Sequence, residues 1–326
     1  MNIDETSGQL RSTPVKAYVV VVVAIVATSS AAILIRFALD QNMPPLLIVA
    51  ARLLIASLAL SPIALRRYRP FLTGLSRVEA LLIAISGICL SIHFTAWVTS
   101  LQYTTVLVSV VIVSTGPIWV AILEVIFLHI RLSRLVVLGL IVALVGGALI
   151  GWPRGEGQLE MTLAPGAENA TLIGAGLAWL GALSVSVYML IGRKLRAGLP
   201  VIPYVWLVYS IATVCTLVVM LARATPALGY SIEGYLVLLA MGLIPQLIGH
   251  SSLNYLLEFF PAALVSMFSQ LEPIGSALLA LVLFRELPPN QQILGSLTII
   301  VGVVLASRGE IRQAQKSKAA GTENAP

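Results

Sequence analysis

Ten apolar runs, each long enough to cross a bilayer as a helix, follow one another through this chain. A helix rises 1.5 Å per residue, so about 20 residues span a hydrocarbon core of about 30 Å. The runs lie at 17–37, 44–65, 78–100, 104–128, 134–152, 170–192, 200–222, 231–256, 261–284 and 290–307. Lipid offers no partner to a bare peptide group, so such runs must be helices that satisfy their own backbone. Only 10% of the residues are charged and 58% are hydrophobic, against about 25% charged in soluble domains. Together these features predict an all-α membrane protein of ten transmembrane helices.

The basic residues predict the orientation. With the N-terminus in the cytoplasm, fifteen of the twenty Lys and Arg fall on the cytoplasmic side and three, Arg154, Arg223 and Arg285, on the opposite side. Arg36 and Arg52 lie within spans or at their ends. Basic residues accumulate in cytoplasmic loops, so both termini are expected in the cytoplasm. The same bias accounts for the net charge of +6 without a nucleic-acid partner, since no basic stripe is interleaved with aromatics. The first run follows Lys16 and passes through Ser29-Ser30-Ala31-Ala32, as a signal peptide would, but it continues to Phe37, too far for a cleaved segment. Cys89 and Cys215 lie inside apolar runs and form neither a disulfide framework nor a metal spacing. Connections are short except 153–169, PRGEGQLEMTLAPGAEN, which reads as an extracytoplasmic linker. Residues 1–16 are expected as a cytoplasmic tail, and the polar stretch 308–326 as a disordered one.

Sliding the chain on itself by 156 residues reveals an internal repeat. Pro117 then falls on Pro273, Ile118 on Ile274, Ala121 on Ala277, Gly139 on Gly295 and Gly146 on Gly302. Matched Pro and Gly at one gapless offset are far less probable by chance than matched aliphatics. The two copies, 17–152 and 170–307, hold five spans each. Five is odd, so the second copy enters the membrane upside down. Inverted repeats of this kind characterise secondary transporters, whose substrate site lies near the midplane at the repeat interface.

These features resemble the EamA family of the drug/metabolite transporter superfamily, over roughly residues 17 to 307. The resemblance is carried by the central-proline spans STGPIWVAILEVIFL and QLEPIGSALLALVLFRE and by the glycine-bearing spans LGLIVALVGGALIG and LGSLTIIVGVVLAS. HFTAWVTSLQYTT and IGRKLR are further similar stretches. One position departs from the pattern: the family commonly ends both central-proline spans with Glu, and here Glu286 has Ile130 as its counterpart. The resemblance implies export of amino acids or other small metabolites across the bacterial inner membrane.

Several side chains carry candidate chemistry. Glu272 precedes Pro273 at membrane depth, with Gln270 nearby. An acid there costs roughly 2.5–3.5 kcal/mol on insertion scales and should face protein or a wet cavity. It reads either as a partner for a proton or a substrate amine, or as a carboxyl satisfying groups freed by the proline. Cys89, His93, Trp97 and Ser100 share one face of the third span, and Gln246, His250, Asn254 and Glu258 one face of the eighth. The two stripes are expected to face each other and line a cavity, or to bond neighbouring helices. Arg52 suits a substrate carboxylate, but pairing with Glu124 or with carbonyls fits as well. Arg36 can snorkel to the interface, and Glu79 suits a helix start. Trp179, Tyr188, Tyr204 and Tyr209 offer stacking surfaces, and Trp152 and Trp206 read as interface anchors. Gly139, Ala143, Gly147 and Gly151 form a small-residue ridge expected to pack on Gly295, Gly302 and Ala306. Pro117 and Pro273 are the expected hinges.

The pattern therefore predicts a secondary transporter working by alternating access, with Arg52, His93, Trp97, Trp179, Gln246, His250, Gln270 and Glu272 at its substrate site. Its partners are a small-molecule substrate, the bilayer and protons, with no nucleic acid, and a monomer suffices because both halves are fused. A multidrug exporter or a nucleotide-sugar or lipid-linked sugar carrier is the alternative, although phosphates would want more than Arg36 and Arg52. The chain carries no HExxH, no G-x-S-x-G and only two aspartates, Asp4 and Asp40, so no enzyme and no cofactor is expected.

Overall fold

The computed structural model describes residues 15–100, 102–104, 106–151, 168–285 and 287–323. The helices are α1 (Val15–Asp40), α2 (Pro45–Arg67), α3 (Arg69–Thr73), α4 (Arg77–Ser100), α5 (Val106–Val113), α6 (Gly116–Phe127), α7 (Arg134–Gly151), α8 (Glu168–Arg196), α9 (Val201–Ala222) and α10 (Ile232–Met241). A π-helical segment, Gly242–His250, joins α10 to α11 (Ser251–Leu256), and α12 (Ala262–Ser269), α13 (Glu272–Phe284) and α14 (Asn290–Glu323) complete the chain. Among the described residues there is no strand, and nine helical stretches are long and apolar enough to cross a membrane. The remaining expected span, 104–128, is divided, leaving a shorter apolar helix at Val111–Phe127. Trp152, Glu286 and most of the expected linker lie outside the described residues. The stretch after Arg308, expected as disordered, continues α14 in helix to Glu323.

Local chemistry sets the boundaries. Ser76 and Glu79 form a reciprocal cap at the start of α4: Glu79 N–H donates to Ser76 Oγ (3.2 Å) and Ser76 N–H to Glu79 Oε2 (2.8 Å). Pro44 and Pro200 hold extended backbone ahead of α2 and α9, and they stand 156 residues apart. The starts of α2 and α9, α5 and α12, α6 and α13, and α7 and α14 are all separated by that same spacing. Both central-proline spans break at equivalent turns, 114–115 and 270–271, with the proline in the first turn of the second piece.

Packing shows that the copies are inverted. A Cβ on Gly139 would meet the Gly302 oxygen at 2.5 Å, and one on Gly146 would meet the Gly295 oxygen at 2.7 Å. Residue numbers rise along α7 as they fall along α14, and 139 and 295 are equivalent, as are 146 and 302. The contact is thus its own mirror under exchange of the halves, as a twofold interface requires. The ridge differs by one residue from expectation. Gly146, not Gly147, faces α14, and Gly147 faces Ser114 instead, because 3.6 residues per turn rotates a strict i+4 series off the contact line.

Side-chain contacts define two ends of the bundle. At the basic end, Arg196 of α8 meets Glu258 beyond α11, Glu124 of α6 meets the start of α12, and Gln313 of α14 bonds the Arg131 carbonyl. At the opposite end, Gln41 accepts from Ser231, Phe37 packs on Phe284, and Gln291 bonds the Leu149 carbonyl.

Backbone–backbone approach at the α7–α14 crossing leaves no room for a side chain. Gly302→Leu would place Cβ 2.6 Å from the Ala143 nitrogen, and overpacking of this kind costs about 1–3 kcal/mol or more. Thermal unfolding in detergent should show a lowered midpoint for Gly302→Leu. Gly176→Leu, where a Cβ meets nothing within 4 Å, should leave the midpoint unchanged.

Candidate functional site

The two ends differ in how tightly they close. At the basic end α12 is buried from Ala262 to Phe268, and Leu256, Leu257, Phe259 and Phe260 fill the space beside it. α13, which continues toward the opposite end, has no buried residue at all. It nevertheless touches α1, where Ser276 Oγ donates to the Ser29 carbonyl (2.8 Å) and Ser29 Oγ to the Glu272 carbonyl (3.1 Å). Ten of its thirteen residues are half-buried and three exposed, so its inner face is partly accessible as well as its outer one.

Between the plugged end and the open one lies a polar cluster. Arg52, buried on α2, donates from Nε to Gln246 Oε1 at 2.8 Å, and its guanidinium carbon sits 4.5 Å from the centre of the Phe94 ring. A cation over a desolvated ring gains about 2 kcal/mol. Arg52 Nη2 is buried and has no hydrogen-bond partner among the described residues. Phe94 also meets His250 edge to face at 5.8 Å. The carboxylate of Glu272, half-buried at the start of α13, is within electrostatic reach of Arg52. Gln246 and His250 belong to the π-helical segment, where Pro245 lacks the N–H that a regular turn would use.

The cluster sits on the pseudo-twofold axis. Phe94 and His250 are 156 residues apart, so that ring contact joins a position to its own copy. Gln270 Nε2 donates to the Ser114 carbonyl at 2.6 Å, again across 156 residues. A residue meets its equivalent only on a twofold axis. Arg52, Phe94, Gln246 and His250 therefore group around the repeat interface, and Gln270 ties the two span breaks together beside it.

The remaining expected residues are placed differently. His93 donates from Nδ1 to the Gly181 carbonyl (2.9 Å), and Trp97 stacks on it at 6.4 Å with its Nε1 buried and unpartnered. Asn254 bonds the Tyr188 hydroxyl (2.5 Å), and Glu258 pairs with Arg196 (2.7 Å). Gly181, Tyr188 and Arg196 all belong to α8, which lies between the two polar stripes. Phe94, beside His93, meets His250 across the gap, while His93, Asn254 and Glu258 turn to α8 rather than to the facing stripe. Arg52 does not pair with Glu124, which bonds the start of α12 instead. Trp179 is exposed and packs edge to face on Trp119 at 5.9 Å. Arg36 lies over Phe284, 5.1 Å from its centre, at the open end.

Phe94 is the central side chain that polarity alone could not single out. Its signal is its position, the repeat equivalent of His250. Close approach of α2 to the π segment sets the register of Arg52 and Gln246, since a Cβ on Gly242 would run into Ile55 and lie 3.4 Å from the Arg52 carbonyl oxygen.

Comparison with known proteins places the chain. A search of curated proteins finds no match. Among solved structures, a crystal structure of a protein is similar at a TM-score of 0.71 and 16% identity, covering 90% of this chain and 97% of that one. At that identity the likeness concerns the fold. The EamA-like transporter family matches residues 15–152 and 172–308, one stretch per half, and the chain belongs to that family.

Proposed function

We propose that this multi-pass membrane protein is a secondary transporter that exports small zwitterionic metabolites, amino acids above all, from the cytoplasm. It works as a monomer in a bacterial inner membrane, with both termini and the basic end cytoplasmic. The observation that carries this reading is the unpartnered Arg52 Nη2 on the pseudo-twofold axis, with the Glu272 carboxylate in electrostatic reach. For inverted repeats that axis lies in the membrane plane, so the cluster is at midplane. A buried cation with a free donor wants a carboxylate, and Glu272 wants an ammonium. One amino acid supplies both at a spacing of a few bonds, whereas an uncharged metabolite would satisfy neither. Bidentate geometry favours Arg over Lys for the carboxylate.

The two halves rock about this site and open it alternately to each side, with the breaks ahead of Pro117 and Pro273 absorbing the change of angle. Glu272 is the acid that gives up its proton when the substrate ammonium binds, and His93 and His250, both within electrostatic reach of Arg52, serve as secondary proton carriers. No enzyme chemistry is assigned to the cluster. A phosphate-bearing sugar is less well served, because Arg36 lies at the open end over Phe284 and Arg52 is the cation of the described cluster.

Proteoliposome uptake of labelled amino acids and nucleosides, with and without a pH gradient, tests this reading. Glu272→Gln should abolish gradient-driven amino-acid uptake while the protein stays folded. Unchanged pH-dependent transport in that variant would sink the proton role. Arg52→Gln should weaken amino-acid binding by about 10- to 100-fold, as loss of a charge-assisted bond worth about 1.5–3 kcal/mol implies. Equal binding of an amino acid and its amide by the unaltered protein would refute the carboxylate contact.

A further inference from the structure

The basic end is held shut by a contact between the two halves that has no equivalent at the open end. Glu124, fully buried on α6 of the first half, receives two backbone hydrogen bonds from the second half. Ala262 N–H donates to its Oε1 at 2.6 Å and Ala263 N–H to its Oε2 at 3.0 Å. These are the first two residues of α12, whose preceding Pro261 makes no side-chain cap. The carboxylate thus supplies the missing cap from another helix, where the helix dipole favours negative charge. Charge-assisted bonds of this sort are about twice as strong as neutral ones.

Second-half arginines hold the chain just ahead of that cap. Arg193 Nη1 donates to the Leu257 carbonyl at 2.7 Å and lies within electrostatic reach of Glu124 and Glu310. Arg196 bonds the Asn254 carbonyl and Glu258. The turn between α11 and α12 is therefore rigid within its own half, and Glu124 is what fastens it to the other.

The repeat offset shows what the opposite end lacks. The position equivalent to Glu124 is Ala280, and the helix equivalent to α12 is α5, which opens at position 106. An alanine cannot accept from the start of α5. Arg193 and Arg196 likewise correspond to Phe37 and Asp40. The architecture is duplicated but the fastening is not.

We infer that Glu124 is a one-sided latch, which biases the unloaded protein toward the state closed at the basic end and open at the other. It rests on the alternating-access reading above, and substrate must supply the differential free energy that releases it. Population shift of this kind needs no change at the substrate site itself.

Cysteine accessibility tests the latch without any substrate, so a wrong cargo and a wrong latch give distinguishable failures. In a chain with Cys89 and Cys215 replaced by Ser, two single reporters are compared using a water-soluble maleimide on purified protein. Ser266→Cys lies on buried α12 at the basic end, and Ile274→Cys on half-buried α13 toward the open end. Glu124→Gln should speed labelling at position 266 by about tenfold or more and slow it at position 274. Ala262→Pro is the second variant. Proline is tolerated at a first helical position, and its ring fills the space through which residue 262 donates to Glu124. It should give the same opposed pattern. Faster labelling at both positions would mean general loosening, and unchanged labelling at 266 in folded protein would mean no latch. Either result overturns the inference.

Discussion

A helix broken inside a bilayer must find new partners for the peptide groups it frees, and this constraint organises the molecule. Both central-proline spans break at the same place in the repeat, and neither break can be left to lipid. The solution is to bring the breaks together at the twofold axis, where Gln270 of one donates to Ser114 of the other. Once the breaks meet, the helices around them are fixed in turn. α7 and α14 close behind at glycine contacts, α1 and α8 flank the two broken spans, and the π segment delivers Gln246 to Arg52. The polar cluster sits where the bundle is already obliged to be polar.

Duplication supplies the frame, and departure from duplication supplies the chemistry. Arg52 has Val208 as its counterpart, Gln246 has Leu90, Glu272 has Gly116, and Glu124 has Ala280. In each pair one copy keeps an apolar or small residue, the default for a helix in lipid. A charged side chain at depth costs roughly 2.5–3.5 kcal/mol, so each departure needs a local compensation. Arg52 has the Phe94 ring and Gln246, and Glu124 has two amides. Glu272 has, among the described residues, the field of Arg52 and the start of its own helix, which leaves it the least compensated of the three.

Much of this was legible in the sequence because bilayer thickness and backbone satisfaction leave few choices. Most of the helix positions, the gapless repeat, the paired prolines and the α7–α14 contact follow from length and from Pro and Gly placement, whereas the division of 104–128 and the helical continuation past Arg308 do not. What was not legible is which neighbour a helical face meets. Period 3.6 puts His93 and Trp97 on one side of α4, but nothing local says that α8 stands there rather than the eighth span. The same limit hid Glu124, whose partners are amides 138 and 139 residues away. Gly147 was misassigned by one position because small residues adjoin on that helix and only the crossing angle selects among them.

The unequal ends bear on mechanism through simple energetics. Two inverted copies with identical contacts would close either end at equal cost, and the empty protein would have no preferred face. Here the basic end buries α12 and a set of aromatic and aliphatic side chains, while α13 is half-buried at most. Apolar burial gives no advantage over lipid inside the hydrocarbon core, since lipid is as apolar as leucine. The difference between the ends must then come from polar contacts and from groups that would otherwise meet water. Glu124 is such a group, because its two amide contacts cross between the halves and hold only while the basic end is closed, whereas Arg193 and Arg196 bond within their own half. A ligand bound between Arg52 and Glu272 would touch both halves at the axis, and from that position it would offset the loss of those contacts.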